Sequence, residues 1–374
     1  MHYYLALTSK CNLLCKYCYG KSCDDYSTLD EENSDYDYSL PPKINFDLTE
    51  LINYAKQDKN FTLTFYGGEP LLQIDLILEM MEKVPAKEFM MQTNAILLHR
   101  LPTQNVNKLS TILCSIDGTL EHTNERRGDR VYERVLKNVK FVRKNGFSGE
   151  LIARMTVDET SDIFENVKHL IEIPEFSAVH WQLDAGFWES DYEQRDFENW
   201  VKNSYNPKIT KLIDWWISEM KENGKVHRIY PFIGVFESIL TGEKSPMKCG
   251  AGHSCLGIQT DGKVVACPIT AGFKPLYMGD IRESSLEDVK AARINPDGFC
   301  NSCEIKDICG GRCLYWNKSN LWPEKGRKEI CSTIFHLVES LNTKKQEILK
   351  LIEEGKIKRE DFDYPKYNGC EIIP

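Results

Sequence analysis

Fourteen cysteines in a chain of 374 residues constrain this sequence more than any other feature, because they are grouped by spacing rather than scattered. Three stand in Thr8-Ser9-Lys10-Cys11-Asn12-Leu13-Leu14-Cys15-Lys16-Tyr17-Cys18-Tyr19, a C-x3-C-x2-C set. Eight more lie between residues 249 and 331. Disulfides belong to oxidising compartments, and the opening run Met1-His2-Tyr3-Tyr4-Leu5 lacks the basic and then apolar regions of a secretion signal. Metal ligation and a cytoplasmic location are therefore expected. Three close thiols are open to a zinc-knuckle reading. They also suit a [4Fe–4S] cube: a fully protein-ligated cube needs four thiolates. Three leave one iron open, and an open position is where a metal site takes a ligand from outside the chain.

The length predicts one large domain and a smaller one. A formal charge of −9 argues against a nucleic-acid surface, which needs a basic stripe. The sequence contains no run of 18 apolar residues, so no transmembrane helix and no membrane partner are expected. Over residues 1–235, short apolar runs alternate with helical patterns. Tyr3–Thr8, Phe61–Phe65, Phe89–Gln92, Ile112–Ile116, Leu151–Val157 and Val179–Leu183 read as strands. Helices are expected around Leu48–Lys56, Leu72–Lys83, Tyr132–Asn145 and Ile163–Ile173. Such repeats imply an α/β fold of parallel strands with right-handed crossovers, a partial (β/α)6 TIM-type barrel. Its chemistry is expected at the C-terminal strand ends, and the first cysteine set falls just after strand one. Residues 20–46, with Asp24, Asp25, Asp30, Glu31, Glu32, Asp35 and Asp37, read as a charged, mobile loop or a lid. Residues 236–335 read as a small cysteine-rich domain folded around metal rather than a large core. Residues 336–374 read as a C-terminal helix (336–354) and tail.

Motifs at the strand ends carry a resemblance. Thr64-Phe65-Tyr66-Gly67-Gly68-Glu69-Pro70 follows strand two, and paired glycines there let backbone approach a ligand closely, without a Cβ in the way. Gln92-Thr93-Asn94 ends strand three. Ser115-Ile116-Asp117-Gly118 ends strand four, ahead of His122 and Arg126-Arg127-Gly128. Together with the cysteine set, these residues resemble the radical S-adenosylmethionine (SAM) superfamily. That resemblance implies that Cys11, Cys15 and Cys18 hold the cluster to which SAM binds. It implies that Gly67, Gly68, Glu69 and Asn94 line the SAM cavity, and that Ser115 and Arg127, with Arg126 the fallback, meet the SAM carboxylate. A guanidinium suits a carboxylate because it gives a charge-assisted, bidentate bond.

The C-terminal cysteines resemble the SPASM domain of peptide- and protein-modifying radical SAM enzymes. By that resemblance, Cys249, Cys255, Cys267 and Cys313 bind a first auxiliary [4Fe–4S] cluster, and Cys300, Cys303, Cys309 and Cys331 a second. The layout is similar to anaerobic sulfatase maturases, with one departure: their base, an aspartate after the third cysteine of the first auxiliary cluster, is here Pro268. Formylglycine formation is accordingly not expected. The barrel begins at residue 3, so leader recognition is expected from the acidic 20–46 loop or a separate protein. Cys114 reads as a core residue and Cys370 as an inert terminal thiol. Cys23 and Asp184 are weak candidates for a hydrogen donor or acid–base group, and His180, Glu237 and His253 are further titratable groups without an assigned role.

The reading is a radical SAM oxidoreductase or maturase with three [4Fe–4S] clusters and SAM as cofactors. Its substrate would be a peptide or protein, modified by a crosslink, thioether, epimer or oxidised residue. An external low-potential donor such as flavodoxin or ferredoxin would supply electrons. Two alternatives stand beside it: a radical SAM enzyme acting on a small molecule, and a non-enzymatic iron–sulfur electron-transfer protein.

Overall fold

The apolar run His2–Ala6 forms β1, and the strand–helix alternation read from the sequence continues from it. In chain order the elements are α1 (Leu48–Ala55), β2 (Thr62–Tyr66), α2 (Ile74–Lys83), β3 (Glu88–Thr93) and β4 (Leu109–Ser115). They are followed by α3 (Leu120–Arg127), α4 (Val131–Lys144), β5 (Glu150–Val157), α5 (Ile163–Ile171) and β6 (Ala178–Leu183). The computed structural model describes residues 1–18, 35–187, 191–244, 246–366 and 373–374. Caps set several helix starts. Asp47 accepts from Thr49 N at 2.7 Å while the Glu50 carboxylate accepts from Asp47 N at 3.1 Å, a reciprocal box that opens α1. Asp162 accepts from Glu165 N at 3.1 Å and opens α5.

Two compact units emerge, and each is built from separate stretches of chain. The first comprises Met1–Ile116, Thr123–Leu151 and Gly250–Asn295. Its strands run in the order β4-β3-β2-β1-β7-β8-β9, where β7 is Cys255–Ile258, β8 Lys263–Val265 and β9 Tyr277–Asp280. From β4 to β7 the neighbours are parallel, with Ala6 beside Tyr66, Phe65 beside Met91, Thr93 beside Cys114 and His2 beside Cys255. Leu5, Leu63, Phe65, Met91, Ile112 and Leu113 are fully buried. Strands covered on both faces read as near-continuous apolar runs, which is why they were legible. β7, β8 and β9 pair antiparallel. Residues 250–295 thus carry an apolar core of their own, with Leu256, Ile258, Val264, Val265, Phe273 and Leu276 buried. That corrects the expectation of a region organised by metal alone.

The second unit comprises Asp117–His122, Ile152–Cys249 and Pro296–Pro374. Within it β5 and β6 are parallel, with Arg154 beside His180 and Thr156 beside Gln182. Helices α6 (Asn206–Asn223), α7 (Tyr230–Thr241), α8 (Leu314–Ser319), α9 (Glu324–Thr343) and α10 (Lys345–Glu353) complete it. Trp181 donates to the Tyr205 hydroxyl at 2.9 Å and meets Phe232 edge-on, and Trp216 is fully buried. The C-terminal helix begins twelve residues before its expected start at His336, at Glu324 behind Pro323, and breaks at Lys344. Cys331 therefore sits inside a helix and not ahead of one.

Of the acidic loop, residues 19–34 lie outside the described residues, and Cys23 with them. Its end is tied down: Asp37 N donates to Gly272 O at 2.7 Å, Lys274 N to Asp35 O at 2.8 Å, and Lys263 pairs with Asp37 at 3.2 Å. Among the described residues no helix is long and apolar enough to cross a membrane.

Burial separates two otherwise similar substitutions. Leu113→Ala, at a fully buried position of β4, is expected to cost about 2–5 kcal/mol in denaturant unfolding. Phe141→Ala, at a side chain 42% exposed, should change the same midpoint little.

Candidate active site and cysteine cavity

The cysteine loop is held by main-chain bonds to the turn after β2. Gly68 N donates to Thr8 O at 2.8 Å and Glu69 N to Lys10 O at 2.9 Å. A Cβ on Gly67 would lie 2.4 Å from Thr8 O, and one on Gly68 would lie 2.4 Å from Lys10 O. The paired glycines are thus required by contact between two stretches of backbone. At the base of the loop, Thr8 Oγ1 donates to Pro42 O at 2.7 Å and accepts from Lys10 N at 3.1 Å.

Glu69 joins this turn to the end of β3. Its carboxylate is fully buried and accepts from Leu71 N at 3.1 Å, Thr93 Oγ1 at 2.7 Å and Asn94 N at 2.8 Å. Burial pushes it up to about 7, against those three donors. Asn94 carries the connection to the thiols: its amide donates to Asn12 Oδ1 at 2.8 Å and to Cys11 Sγ at 3.7 Å. Leu13 N also donates to Cys11 Sγ, at 3.4 Å. Burial raises the Cys11 thiol, the Leu13 N–H lowers it, and the nearby Glu69, Cys15 and Cys18 charges raise it again. A bound iron–sulfur cluster supplies the cation that favours the Cys11 thiolate.

The arginine pair closes the other side of the loop. Lys16 N donates to Arg126 O at 2.9 Å, and the Arg126 and Arg127 guanidiniums lie 4.5 and 5.3 Å from the Tyr17 ring centre. Both are buried. Ser115 ends β4, one residue past Cys114, which stands opposite Thr93; Ser115 and Asn94 thus follow at neighbouring strand ends. Cys114 is a fully buried core thiol, raised by desolvation.

In the second unit, the rest of the S-x-D-G segment has a packing role. Asp117 Oδ1 accepts from Thr156 N at 2.9 Å, and a Cβ on Gly118 would lie 2.2 Å from the Asn166 amide oxygen. Asp184 follows β6, half-buried, with its N–H on Val157 O at 2.8 Å. His180 is buried in β6, while Glu237 is paired with Arg359 at 2.5 Å. In the first unit His253 meets Asn295 at 2.8 Å. Of these groups only Asp184 stands at a C-terminal strand end. Cys370 lies outside the described residues.

Four further thiols share one cavity. Cys300, Cys303, Cys309 and Cys331 line a space of about 170 Å3 whose walls include Phe299, Trp316 and Ile334. Asn317 donates to Cys300 Sγ at 3.5 Å. Burial and the neighbouring thiols push Cys300 up to about 11. Cys309 is pushed to about 12 mainly by burial, against the N–H groups of Gly311 and Arg312. Cys331 reaches about 11 through burial, with Arg312 pulling it down. Among the described residues no group of three or more His, Cys, Asp or Glu is placed to hold a single metal ion. A cube instead offers each thiolate its own iron corner, so its ligands stand farther apart than those of one ion. The cavity fits such a group. Of the other cysteines, Cys255 and Cys267 belong to the first unit, Cys255 as the first residue of β7 and Cys267 two residues past the end of β8. Cys249 and Cys313 belong to the second.

Comparison with known proteins agrees with this chemistry. Residues 5–171 match the radical SAM superfamily and residues 249–313 match SPASM, an iron-sulfur cluster-binding domain. The chain carries a radical SAM domain and a SPASM domain. It is an enzyme of the radical SAM class. It is 23% identical over 332 residues to the radical SAM cyclopropyl synthase TigE of Paramaledivibacter caminithermalis, covering 83% of this chain and 67% of that one. It is 21% identical over 338 residues to a cysteine-type anaerobic sulfatase-maturating enzyme of Clostridium perfringens, covering 82% and 86%. The solved structure of anSMEcpe with bound AdoMet and Cp18Cys peptide superposes with a TM-score of 0.68 at 17% identity, over 94% of this chain and 99% of that one. At that identity the likeness shows the fold, the partial (β/α)6 barrel with its SPASM domain.

Sequence reasoning missed Asn12, Tyr17 and Arg312. All three adjoin a cysteine, Asn12 after Cys11, Tyr17 before Cys18 and Arg312 before Cys313, so each was within reach of a motif. Gly68→Ala tests the loop seam. Its Cβ would meet the Lys10 carbonyl, so the variant is expected to displace the Cys11–Cys18 loop and to bind less iron than the wild type, as read by iron per chain.

Proposed function

We propose that this enzyme is a peptide-modifying maturase that uses SAM to remove a hydrogen atom from a side chain or Cα of a peptide. The product would be a crosslink, thioether, epimer or oxidised residue. The observation that carries the reading is one chain holding both an asymmetric three-thiol loop and a separate four-thiol cavity. Its matches over more than four-fifths of its length include a cysteine-type anaerobic sulfatase-maturating enzyme and a radical SAM cyclopropyl synthase, and the superposed anSMEcpe carries AdoMet and a peptide.

Cys11, Cys15 and Cys18 would hold the SAM cluster, which once bound supplies the electron that cleaves SAM to methionine and a 5′-deoxyadenosyl radical. This chain's residues bind and orient. The backbone of Gly67, Gly68 and Glu69 would face the SAM amino group, with the Glu69 side chain occupied by its three donors. Asn94 and Ser115 would complete that wall, and Arg127 would take the SAM carboxylate. Cys300, Cys303, Cys309 and Cys331 would hold one auxiliary cube, and Cys249, Cys255, Cys267 and Cys313 another. These would accept an electron from the substrate radical. Pro268, which accepts no proton, stands against formylglycine formation. A low-potential donor such as flavodoxin or ferredoxin and a reducing cytoplasm suit this cofactor load. The functional division is 1–235 for the barrel, 236–335 for SPASM and 336–374 for the helix and tail.

Anaerobic incubation of the reduced protein with SAM should yield 5′-deoxyadenosine and methionine. Coexpression with a short peptide encoded beside its gene should change that peptide's mass, read by mass spectrometry. SAM cleavage with no peptide change but conversion of a small molecule would move the substrate class. Arg127→Ala is expected to weaken SAM binding by about 1.5–3 kcal/mol with cluster content retained. Loss in Arg126→Ala alone would reassign the contact to its neighbour.

A further inference from the structure

Arg312 lies on the wall of the four-thiol cavity beside Cys309 and Cys331, in the three-residue spacer between Cys309 and Cys313, and is itself no cysteine ligand. It is 2% exposed. Its Nε donates to the Pro374 main-chain oxygen at 2.9 Å and its Nη2 to Leu183 O at 3.2 Å. Nη1 is buried without an acceptor. No carboxylate side chain pairs with Arg312 among the described residues. Its backbone is left-handed, with φ 58°, a conformation that residues with a Cβ seldom adopt and that persists where the surroundings demand it. The Trp316 ring centre lies 5.6 Å from the guanidinium carbon. A buried guanidinium with an idle N–H is unfavourable unless a negative group completes its environment. The cavity it lines supplies four thiolates when a cluster is bound, and a cube with four thiolate ligands is net negative.

We propose that Arg312 is a positioning residue that acts as the fixed counter-charge of the four-thiol cavity and raises the reduction potential of the cluster held there. The inference rests on the reading of Cys300, Cys303, Cys309 and Cys331 as cluster ligands. Reduction adds one electron, and so one negative charge, to a group already negative. A guanidinium held against it in a low-dielectric setting favours the reduced form. Two main-chain oxygens fix Arg312, so its charge stays in place during electron transfer. A cluster so tuned accepts an electron from a substrate radical more readily than one facing only apolar walls.

The test is an EPR-monitored potentiometric titration of the fully reconstituted protein, with dithionite as reductant. The signal lost in Cys331→Ala identifies the cluster. If that variant loses neither iron nor signal, the ligand reading fails, separately from the role of Arg312. At the wild-type midpoint, Arg312→Gln is expected to lower the reduced-to-oxidised ratio by about tenfold or more, a shift of about 59 mV for a one-electron couple. Arg312→Lys keeps the charge and should stay near the wild-type ratio. Equal shifts in both variants, or none in either, overturn the proposal. If Arg312→Gln cannot load the cluster, Arg312→Lys decides: loading at the wild-type potential supports the counter-charge, and failure to load shows that shape alone matters.

Discussion

Two main-chain hydrogen bonds, Gly68 N to Thr8 O and Glu69 N to Lys10 O, are the contact on which the rest of the site depends. They bring the end of β2 against the base of the cysteine loop so closely that neither glycine has room for a Cβ. From there the order passes through one buried carboxylate. Glu69 fixes Thr93 and Asn94, and Asn94 fixes Asn12 and reaches the Cys11 sulfur. Parallel strands place all of this at their C-terminal ends, where βα loops can vary without disturbing the sheet.

The second theme is charge. The thiols of Cys11, Cys300, Cys309 and Cys331 are all raised by burial. A cluster of close thiolates without cations would repel itself, so metal binding and local folding are linked. N–H groups temper the repulsion at chosen sulfurs: Leu13 and Asn94 at Cys11, Asn317 at Cys300. Hydrogen bonds to cluster sulfurs are a recognised way for a protein to set a potential.

Much of the barrel was legible because β1 to β6 are buried on both faces and bounded by turn residues. The cysteine spacing marked both metal regions for the same local reason. What escaped was non-local. His2 pairs with Cys255 across most of the chain, and no window of sequence carries that register. β7 to β9 are only three or four residues long, too short for a period to show. The start of α9 was readable after all, since Pro323 precedes its first residue. The glycine pair was recognised, but its neighbour is backbone, which only coordinates reveal. Arg312 precedes Cys313 in the sequence, but its burial and its place on the cavity wall show only in the coordinates.

The most direct test of the account is the iron and sulfide content of the anaerobically reconstituted protein, read beside its absorbance. Three cubes predict about twelve of each per chain, falling to about eight when Cys11, Cys15 and Cys18 are all replaced by alanine. Stoichiometric zinc, with no iron–sulfur absorbance and no change on that replacement, would contradict it.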